Sequence, residues 1–450
     1  VQQPARWGRC AGGSRWRVKQ AGGSCRRRFC RTRPRPVRLP QLDSRLRRGA
    51  ESVADKQYVV IGAGIAGVSA AEAIRRQDAD GEITLLSGER DLPYARPMLS
   101  KAPLLSLELK QLTLHPAEWY RQQGIRLRLD AAAQSLDPAG RTVVCGGEVL
   151  RYDKCVLAVG ARNFVPPFPG AEDVPLCGVR TLEDLRRVRR LAGGKRRAVV
   201  IGGGVIGLEM AAGLSRYGLE VSVLEAMPSL MPRLIGENIS RWLQEQLPQL
   251  HIHTGVSIRR LYRDGGETVV ENGDGRRWRC DILLVSCGVR ADTDLAQKAG
   301  IICERAVVVN ERMETSVPDV YACGDCAQFQ GGNAALWNQG LWQGVTAGAN
   351  AAGGDAVYAG CDTSLVLNLD GVGLFALGDL GQSGGGAYRI EEESWPARRT
   401  FQVDPRRPAV PGKSIRVWRG KQLTGVALLG DLRRMQALKA ELLEQRRGEE

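Results

Sequence analysis

Histidine and long apolar segments are scarce in this sequence. Three histidines, His115, His251 and His253, occur in 450 residues, which excludes a histidine-rich metal site. His251 and His253 alternate along one predicted strand, where a structural role is favoured over metal binding. The sequence has no run of 18 uncharged apolar residues, so we expect no membrane-spanning helix.

Net positive charge is also small once the first 55 residues are set aside. Residues 1–55 hold 15 of the 64 Lys and Arg but 3 of the 49 Asp and Glu. The rest of the chain is therefore nearly neutral, which argues against a nucleic-acid partner. Arginine, glycine and proline dominate residues 1–55, a composition that predicts a disordered basic leader. A targeting peptide and a functional basic arm are the alternatives.

Cysteines occur without the spacing of a metal site. Nine of the 12 cysteines lie beyond residue 55, scattered through predicted strands and turns, as in proteins that keep their thiols reduced. Cys323 and Cys326 form the one CxxC pair among those nine. We therefore expect a cytoplasmic protein with no metal.

Glycine is abundant, and one glycine-rich turn follows a predicted strand at residues 58–61. Gly62, Gly64 and Gly67 have the GxGxxG spacing, and a helix is predicted to continue to Gln77. The first glycine allows a tight turn, the second admits a pyrophosphate, and the third lets helix and strand pack closely. The helix N-terminus then offers free N–H groups to the phosphates, which makes its first residues, Ile65 and Ala66, binding candidates.

The same arrangement occurs a second time. Gly202, Gly204 and Gly207 follow an apolar run, with Val205 and Ile206 opening the next helix. Each unit also has an acidic residue after its second strand, where a carboxylate can accept hydrogen bonds from ribose hydroxyls. These residues are Glu89, although Ser87 is nearer the usual spacing, and Glu225. Two complete units predict an α/β fold with two dinucleotide-binding sites.

The sequence resembles the two-dinucleotide flavoproteins of the pyridine nucleotide–disulfide oxidoreductase family, over roughly residues 56–430. Beyond the glycine turns, the resemblance rests on the segments YDKCVLAVGA (152–161), CDILLVSCGVRAD (280–292) and TSVPDVYACGDCAQF (315–329). It implies FAD at the first turn, NADH at the second, and two Rossmann-like domains with a small C-terminal α+β domain. The implied boundaries are a leader at 1–55, an FAD domain at 56–175 and 285–355, an inserted NAD domain at 176–284, and the α+β domain at 356–450. In that last domain we expect short strands and a closing helix at 432–445.

The segment PYARPMLSK (93–101) is similar to one in rubredoxin reductases, ferredoxin reductases and nitrite reductase large subunits. In those relatives the lysine lies beside the flavin ring and pairs with a glutamate. The resemblance therefore implies that Lys101 and Glu209 are catalytic and that Arg96 contacts FAD. A fixed cation would stabilise the reduced, partly anionic flavin. The alternatives are a surface lysine and an ordinary helix glutamate.

The resemblance also implies further cofactor contacts. Asp325 would bind the ribityl and phosphate region of FAD, and a helix cap is its alternative role. Val159 stands where the family's ATG motif usually has threonine. Ser286 and Cys287 precede Gly288 in the second copy of that motif. We therefore expect altered contacts to the nucleotides at these positions. The remaining candidates are Ala133, Gly160, Gly288, Gly324 and Trp337, the last in a helix with Gln343 and Gly344.

The redox cysteines of the disulfide reductases are missing. Residues 89–106 contain no cysteine, and no histidine follows His253. The sequence therefore lacks the residues that a thiol relay requires. A redox role for the pair Cys323 and Cys326 is disfavoured. We expect an NADH-dependent reductase that passes electrons directly to a carrier such as rubredoxin. Alternatives are the flavin component of a nitrite reductase, an NADH oxidase and a nucleotide-sensing protein without turnover.

Two further expectations concern specificity and partners. Glu225 would repel the 2′-phosphate of NADPH, so NADH is the expected donor. An arginine cluster in the C-terminal domain has two interpretations, a surface that steers an acidic carrier and a solvated loop. The sequence leaves open whether the protein is a homodimer. The cluster consists of Arg398, Arg399, Arg406 and Arg407.

Overall fold

A computed structural model describes five ranges of the chain: residues 56–101, 112–369, 371–381, 387–397 and 410–447. The predicted leader at 1–55 and the arginine cluster at 398–407 lie outside these ranges. Within them, no helix is long and apolar enough to cross a membrane.

Nine α-helices are present in the described ranges. In chain order they are α1 Ile65–Gln77, α2 Met98–Lys101, α3 Ala117–Gln122, α4 Leu182–Ala192, α5 Val205–Arg216, α6 Pro232–Glu245, α7 Asp294–Lys298, α8 Trp337–Ala351 and α9 Met435–Arg447. Helix α1 has the predicted end at Gln77. Helix α9 begins at Met435, three residues later than predicted, because Asp431 binds the backbone and side chain of Arg433 just before it.

The same ranges contain 25 strands. In chain order they are β1 Gln57–Ile61, β2 Glu82–Leu86, β3 Ile125–Arg128, β4 Ala133–Asp137, β5 Thr142–Cys145, β6 Glu148–Arg151, β7 Lys154–Leu157, β8 Ala161–Asn163, β9 Leu176–Cys177, β10 Arg197–Ile201, β11 Glu220–Leu224, β12 His251–His253, β13 Ile258–Asp264, β14 Glu267–Asn272, β15 Arg277–Cys280, β16 Ile282–Val285, β17 Val289–Ala291, β18 Val307–Val309, β19 Val320–Ala322, β20 Ala327–Phe329, β21 Leu365–Leu369, β22 Val372–Gly378, β23 Tyr388–Trp395, β24 Gly412–Arg419 and β25 Gln422–Gly430.

The first sheet is parallel, with the strand order β19-β7-β1-β2-β3. Its central strand β1 is buried from Tyr58 to Ile61, as expected for a parallel strand covered on both faces. Helices α1 and α8 pack closely on each other. A Cβ atom at Gly344 would lie 2.2 Å from the Ala66 carbonyl oxygen, and one at Gly348 would lie 2.2 Å from that of Ala70. The two backbones therefore touch.

The second sheet is also parallel, with the order β12-β11-β10-β16-β9. His251 and His253 lie on its edge strand β12, as the sequence predicts. All five strands fall between β7 and β19 along the chain, the order expected of an inserted domain. The antiparallel pair β8 and β17 lies at the two crossings between the sheets. The domain boundaries stay a prediction.

The C-terminal sheet is antiparallel, with the order β21-β22-β25-β24-β23. Helix α9 packs on it through Leu438 and Leu442, which belong to the same apolar cluster as Phe375 and Leu428. The edge strand β23 was not expected from the sequence, because its residues are exposed on both faces and show no alternating apolar pattern.

Candidate functional site

The first glycine turn lies between β1 and α1, at the carboxyl end of the first sheet. Gly62 has φ +107°, and a Cβ atom there would lie 2.1 Å from the Ala158 carbonyl oxygen. A Cβ atom at Gly67 would lie 1.8 Å from the Gly62 carbonyl oxygen. Gly64 differs, since no heavy atom lies within 4 Å of its Cβ position. Gly62 and Gly67 thus allow close packing, and Gly64 faces open space before the uncapped N-terminus of α1.

A cleft of about 330 Å³ adjoins this turn. Gly62, Ala133 and Val159 line its wall. The cleft thus brings together two predicted cofactor-binding residues, Gly62 and Ala133, with Val159, which replaces the family's usual threonine. Charged side chains form its rim: Arg162 donates to both oxygens of Asp292, at 2.8 and 2.9 Å. The cleft combines an apolar wall with a charged edge, as ligand sites do.

Glu89 is engaged by two neighbouring side chains. Arg96 Nη2 donates to Glu89 Oε1 at 2.7 Å, and the Tyr94 hydroxyl donates to Oε2 at 2.6 Å. Ser87 donates to the Glu89 carbonyl oxygen at 3.1 Å. The structure thus joins two candidates, Glu89 and Arg96, and Glu89 is not among the residues that line the cleft. Its contact with a ribose stays a prediction.

Arg180 is a site residue that sequence reasoning missed. Its guanidinium donates to Asp325 Oδ2 at 2.5 Å and to the Ala161 carbonyl oxygen at 3.1 Å, and Arg96 donates to the Arg180 carbonyl oxygen. Asp325 lies inside a short 3-10 helix, Gly324–Cys326, and does not cap it. The helix-cap alternative was therefore wrong. A helix-start signal at Thr181, which forms a capping box with Asp184, could have drawn attention to Arg180.

The second glycine turn repeats the geometry of the first. Gly202 has φ +108°, and its Cβ position lies 2.3 Å from the Ser286 carbonyl oxygen. A Cβ atom at Gly207 would lie 2.0 Å from the Gly202 carbonyl oxygen. The Gly203 N–H donates to Glu225 Oε2 at 2.7 Å. Glu225 is therefore held beside the turn, where a ribose is bound in Rossmann folds.

Three residues connect helices α2 and α5. Glu209 on α5 is 3% exposed, and its Oε1 atom lies 3.7 Å from Nζ of Lys101. Ser100 donates a hydrogen bond to the other carboxylate oxygen, Oε2. Glu209 Oε1 is buried without a hydrogen-bond partner, and burial raises the pKa of Glu209. An orphaned carboxylate oxygen beside a lysine suits a site that receives a further polar group.

Helix α8 begins close to the first turn. Trp337 is its first residue, and buried Gln343 accepts a hydrogen bond from the Gly324 N–H at 2.9 Å. A Cβ atom at Gly324, where φ is +77°, would lie 2.8 Å from the Ala66 side chain. Glycine thus brings α1, α8 and the 3-10 helix together. Gly160 and Gly288 also have positive φ, of +77° and +93°, beside the β8 and β17 crossings.

The CxxC pair does not have the properties of a redox centre. Cys323 and Cys326 are both fully buried, and both are free thiols. Burial raises the pKa of Cys326 to about 11 and that of Cys323 well above its usual range. Because the thiolate is the reactive form, the raised pKa values disfavour reaction at either thiol. The described ranges contain no group of three or more side chains that could hold a metal.

Comparison with known proteins identifies the family. Residues 56–350 match the family described as Pyridine nucleotide-disulphide oxidoreductase. The chain belongs to this family. Membership confirms the predictions of the α/β fold class, of an oxidoreductase, and of FAD and NADH as cofactors.

Named relatives agree with the predicted branch. The chain is 30% identical to "Nitrite reductase [NAD(P)H]" of Bacillus subtilis over 84% of its own length and 46% of that protein. It is also 30% identical to "NADH-rubredoxin oxidoreductase" of Clostridium acetobutylicum over 72% of the chain and 82% of that protein. A ferredoxin reductase structure from Rhodopseudomonas palustris superimposes with TM-score 0.72 at 28% identity, covering 84% of this chain and 91% of its own. The chain spans about half the length of the nitrite reductase.

Proposed function

We propose that this protein is an NADH-dependent FAD reductase that delivers electrons to a separate small carrier protein such as rubredoxin. The observation that carries the proposal is the Lys101–Glu209 ion pair, which joins helix α2 to helix α5 at the second glycine turn. Residues 89–106 contain no cysteine, so the pair stands where disulfide reductases have a thiol relay.

FAD would bind at the first turn and the adjoining cleft. Open space at Gly64 and the uncapped start of α1 suit a pyrophosphate. FAD, when bound, supplies a centre that takes two electrons from NADH and releases them singly. The residues that would hold it are Gly62, Gly64, Ile65, Ala66, Gly67, Glu89, Arg96, Lys101, Ala133, Gly160, Gly324, Asp325 and Trp337.

NADH would bind at the second turn. Glu225 is fixed by the Gly203 and Met227 N–H groups at 2.7 and 2.8 Å, so its carboxylate is ready to accept ribose hydroxyls without reorganising. A 2′-phosphate would meet the same negative charge. The residues that would hold NADH are Gly202, Gly204, Val205, Ile206, Gly207, Glu209, Glu225 and Gly288.

Lys101 and Glu209 have distinct tasks. Lys101 supplies a fixed positive charge that stabilises negative charge as the electrons arrive, an effect that is strongest where water is excluded. Glu209 restrains the lysine and is itself shielded, with 3% exposure. Neither residue gains or loses a covalent bond, so their contribution is electrostatic.

The surroundings of the site support a direct transfer to an acceptor. Cys323 and Cys326 are buried with raised pKa values, which disfavours either thiol of the described ACGDC motif as an intermediate carrier. We place the protein in the cytoplasm, because the nine described cysteines are all free. The domain division predicted from the sequence is part of this proposal.

The flavin component of a nitrite reductase is a second candidate. The match to the nitrite reductase covers 84% of this chain but 46% of that protein. A chain of this kind would then need further modules or a partner for the reduction of nitrite.

The test is a comparison of acceptors. Purified protein should be yellow with non-covalently bound FAD, and NADH should bleach it under anaerobic conditions. NADH oxidation is then measured with rubredoxin, ferredoxin, nitrite or air as sole acceptor. Turnover with rubredoxin or ferredoxin supports the proposal, and turnover with air alone favours an oxidase. Protein that stays colourless after incubation with FAD contradicts it.

A further inference from the structure

We propose that Ser100 is a positioning residue for the Lys101–Glu209 pair: its hydroxyl holds Glu209 as a carboxylate and directs the free oxygen towards Lys101. The inference rests on the proposed function, because that function gives the pair its task. Ser100 lies in the PYARPMLSK segment, in which the resemblance assigns roles to Arg96 and Lys101 and none to this serine.

The geometry divides the two carboxylate oxygens between two partners. Ser100 Oγ donates to Glu209 Oε2, and Nζ of Lys101 lies 3.7 Å from Oε1. Oε1 itself has no hydrogen-bond partner. Because a hydrogen bond to one oxygen fixes the plane of the carboxylate, the other oxygen must point to the lysine side. Without Ser100 the side chain could rotate about its last torsion.

The backbone around Ser100 is held in place. Helix α2 is one turn long, and it is anchored by Leu99, which is 2% exposed. The Met98 and Leu99 N–H groups donate to the carbonyl oxygens of Ala95 and Arg96 at 2.9 and 3.0 Å. Consecutive residues on this turn, Ser100 and Lys101, thus approach one carboxylate from a hydrogen-bonded turn with a buried anchor. A positioning hydroxyl needs support of this kind.

Because Glu209 is buried, the Ser100 hydroxyl affects the pKa of its carboxyl group. Glu209 is 3% and Ser100 7% exposed, so little water can solvate the carboxylate. Burial raises the pKa of Glu209, and the Ser100 hydrogen bond and the Lys101 charge oppose that rise. Ser100 is therefore one of two groups that favour the ionised form of Glu209 against the effect of burial.

In the described ranges, the strands in close contact with α5 bring no charged group that pairs with Glu209. The charged residues of strands β10 and β11 pair with other groups: Arg197 with Glu267, and Glu220 with His251. Strand β21, which also contacts α5, has the sequence LVLNL without a charged residue. In the described part of the chain, Lys101 is the charged group in ion-pair distance of Glu209.

The experiment titrates Glu209 directly in the FAD-loaded protein. Difference infrared spectroscopy follows the C=O band of the protonated carboxyl across pH in the wild type and in Ser100→Ala, with Glu209→Gln to identify the band. A hydrogen bond to a charged group contributes enough to raise the pKa of Glu209 by about one to two pH units when it is lost. An unchanged midpoint in Ser100→Ala would overturn the proposal.

Conservative variants separate positioning from packing. Ser100→Thr keeps the hydroxyl and should restore the wild-type midpoint, whereas a midpoint equal to that of Ser100→Ala would count against the proposal. Ser100→Cys is a weak donor of similar size and should give an intermediate midpoint. It provides the same test if Ser100→Ala does not fold.

A kinetic measurement connects the titration to the reaction. In anaerobic stopped-flow experiments, the acidic limb of the NADH-driven bleaching rate should move to higher pH in Ser100→Ala, by the same amount as the infrared midpoint. If NADH does not reduce the protein at all, the proposed function fails, while the infrared titration still decides the role of Ser100.

Discussion

Arg180 and Asp325 form an ion pair of 2.5 Å, although they lie far apart in the sequence. Arg180 is held by the Ala161 carbonyl oxygen at 3.1 Å, so the pair joins the segment before α4, the crossing strand β8 and the 3-10 helix. Asp325 is the residue assigned by resemblance to the flavin's ribityl and phosphate region. Its negative charge would repel those phosphates without Arg180.

Arg180→Met should therefore weaken FAD retention. Loss of the cation leaves Asp325 unpaired, and we expect FAD to dissociate about tenfold faster, which corresponds to about 1.4 kcal/mol. The measurement is the rise of free FAD fluorescence after dilution. Arg187→Met, at an exposed position on α4, is the matched control. Equal release rates in the two variants would remove Arg180 from the site.

Glu225→Gln should narrow the preference for NADH over NADPH. The carboxylate is fixed beside the turn, and its charge opposes a 2′-phosphate, so the neutral amide should reduce the preference by about tenfold, or about 1.4 kcal/mol. Anaerobic bleaching rates with both nucleotides measure this. Glu220→Gln, at the exposed start of β11, the strand that ends just before Glu225, should leave the preference unchanged. A wild type that uses both nucleotides equally would contradict the assignment.

Lys101→Ala should slow the reduction of the flavin more than it weakens NADH binding. The charge matters as electrons arrive, and comparable stabilising groups contribute about a hundredfold or more; with Lys101 38% exposed, we expect about tenfold to a hundredfold. Stopped-flow reduction at rising NADH concentration separates the limiting rate from binding. Lys195→Ala is the control, because that lysine is 46% exposed. An unchanged limiting rate would make Lys101 a surface residue.

The C-terminal domain should lose stability in acid through Asp431. Hydrogen bonds from Arg433 hold the pKa of Asp431 at about 2, below the usual value of about 3.9. A lowered pKa in the folded state gives stability that is fully present above the unfolded pKa and is lost as pH falls towards 2. Arg433 is 52% exposed, so solvent screening limits this to about 1 kcal/mol. Asp431→Asn should reduce the pH dependence of the free energy of unfolding between pH 5 and 2, which denaturant titrations at several pH values can measure.

Gly344→Ala should destabilise the protein in spite of the higher helix propensity of alanine. The new Cβ atom would lie 2.2 Å from the Ala66 carbonyl oxygen, and overpacking of this kind costs about 1–3 kcal/mol. Gly193→Ala is the control, since its Cβ position is 3.8 Å from the nearest atom. Thermal unfolding of both variants tests the contact, and equal midpoints would show that the helices separate freely.

Local signals in the sequence were sufficient for the glycine units and the parallel sheets. Strand β1, the turn at Gly62 and helix α1 follow from residues within about 20 positions of each other, as Rossmann units do. The family resemblance then predicted a pairing of Lys101 with Glu209, which no local pattern connects and which the structure places 3.7 Å apart.

Other features depend on contacts between distant segments and could not be predicted. Arg180 has its role through Asp325, and no periodicity links the two. Strand β23 is exposed on both faces, so neither alternation nor an apolar run indicates it. Its pairing with β24 is fixed by the backbone ladder from Tyr388 to Trp395.

The order of strands along the chain has a consequence for synthesis on the ribosome. The second sheet is complete once β16, Ile282–Val285, has emerged, whereas the first sheet lacks its edge strand until β19, Val320–Ala322, follows. One edge of strand β7 therefore has no pairing partner while more than a hundred residues are translated. Unpaired edges invite association with other chains, so nascent protein is most vulnerable to aggregation in this interval.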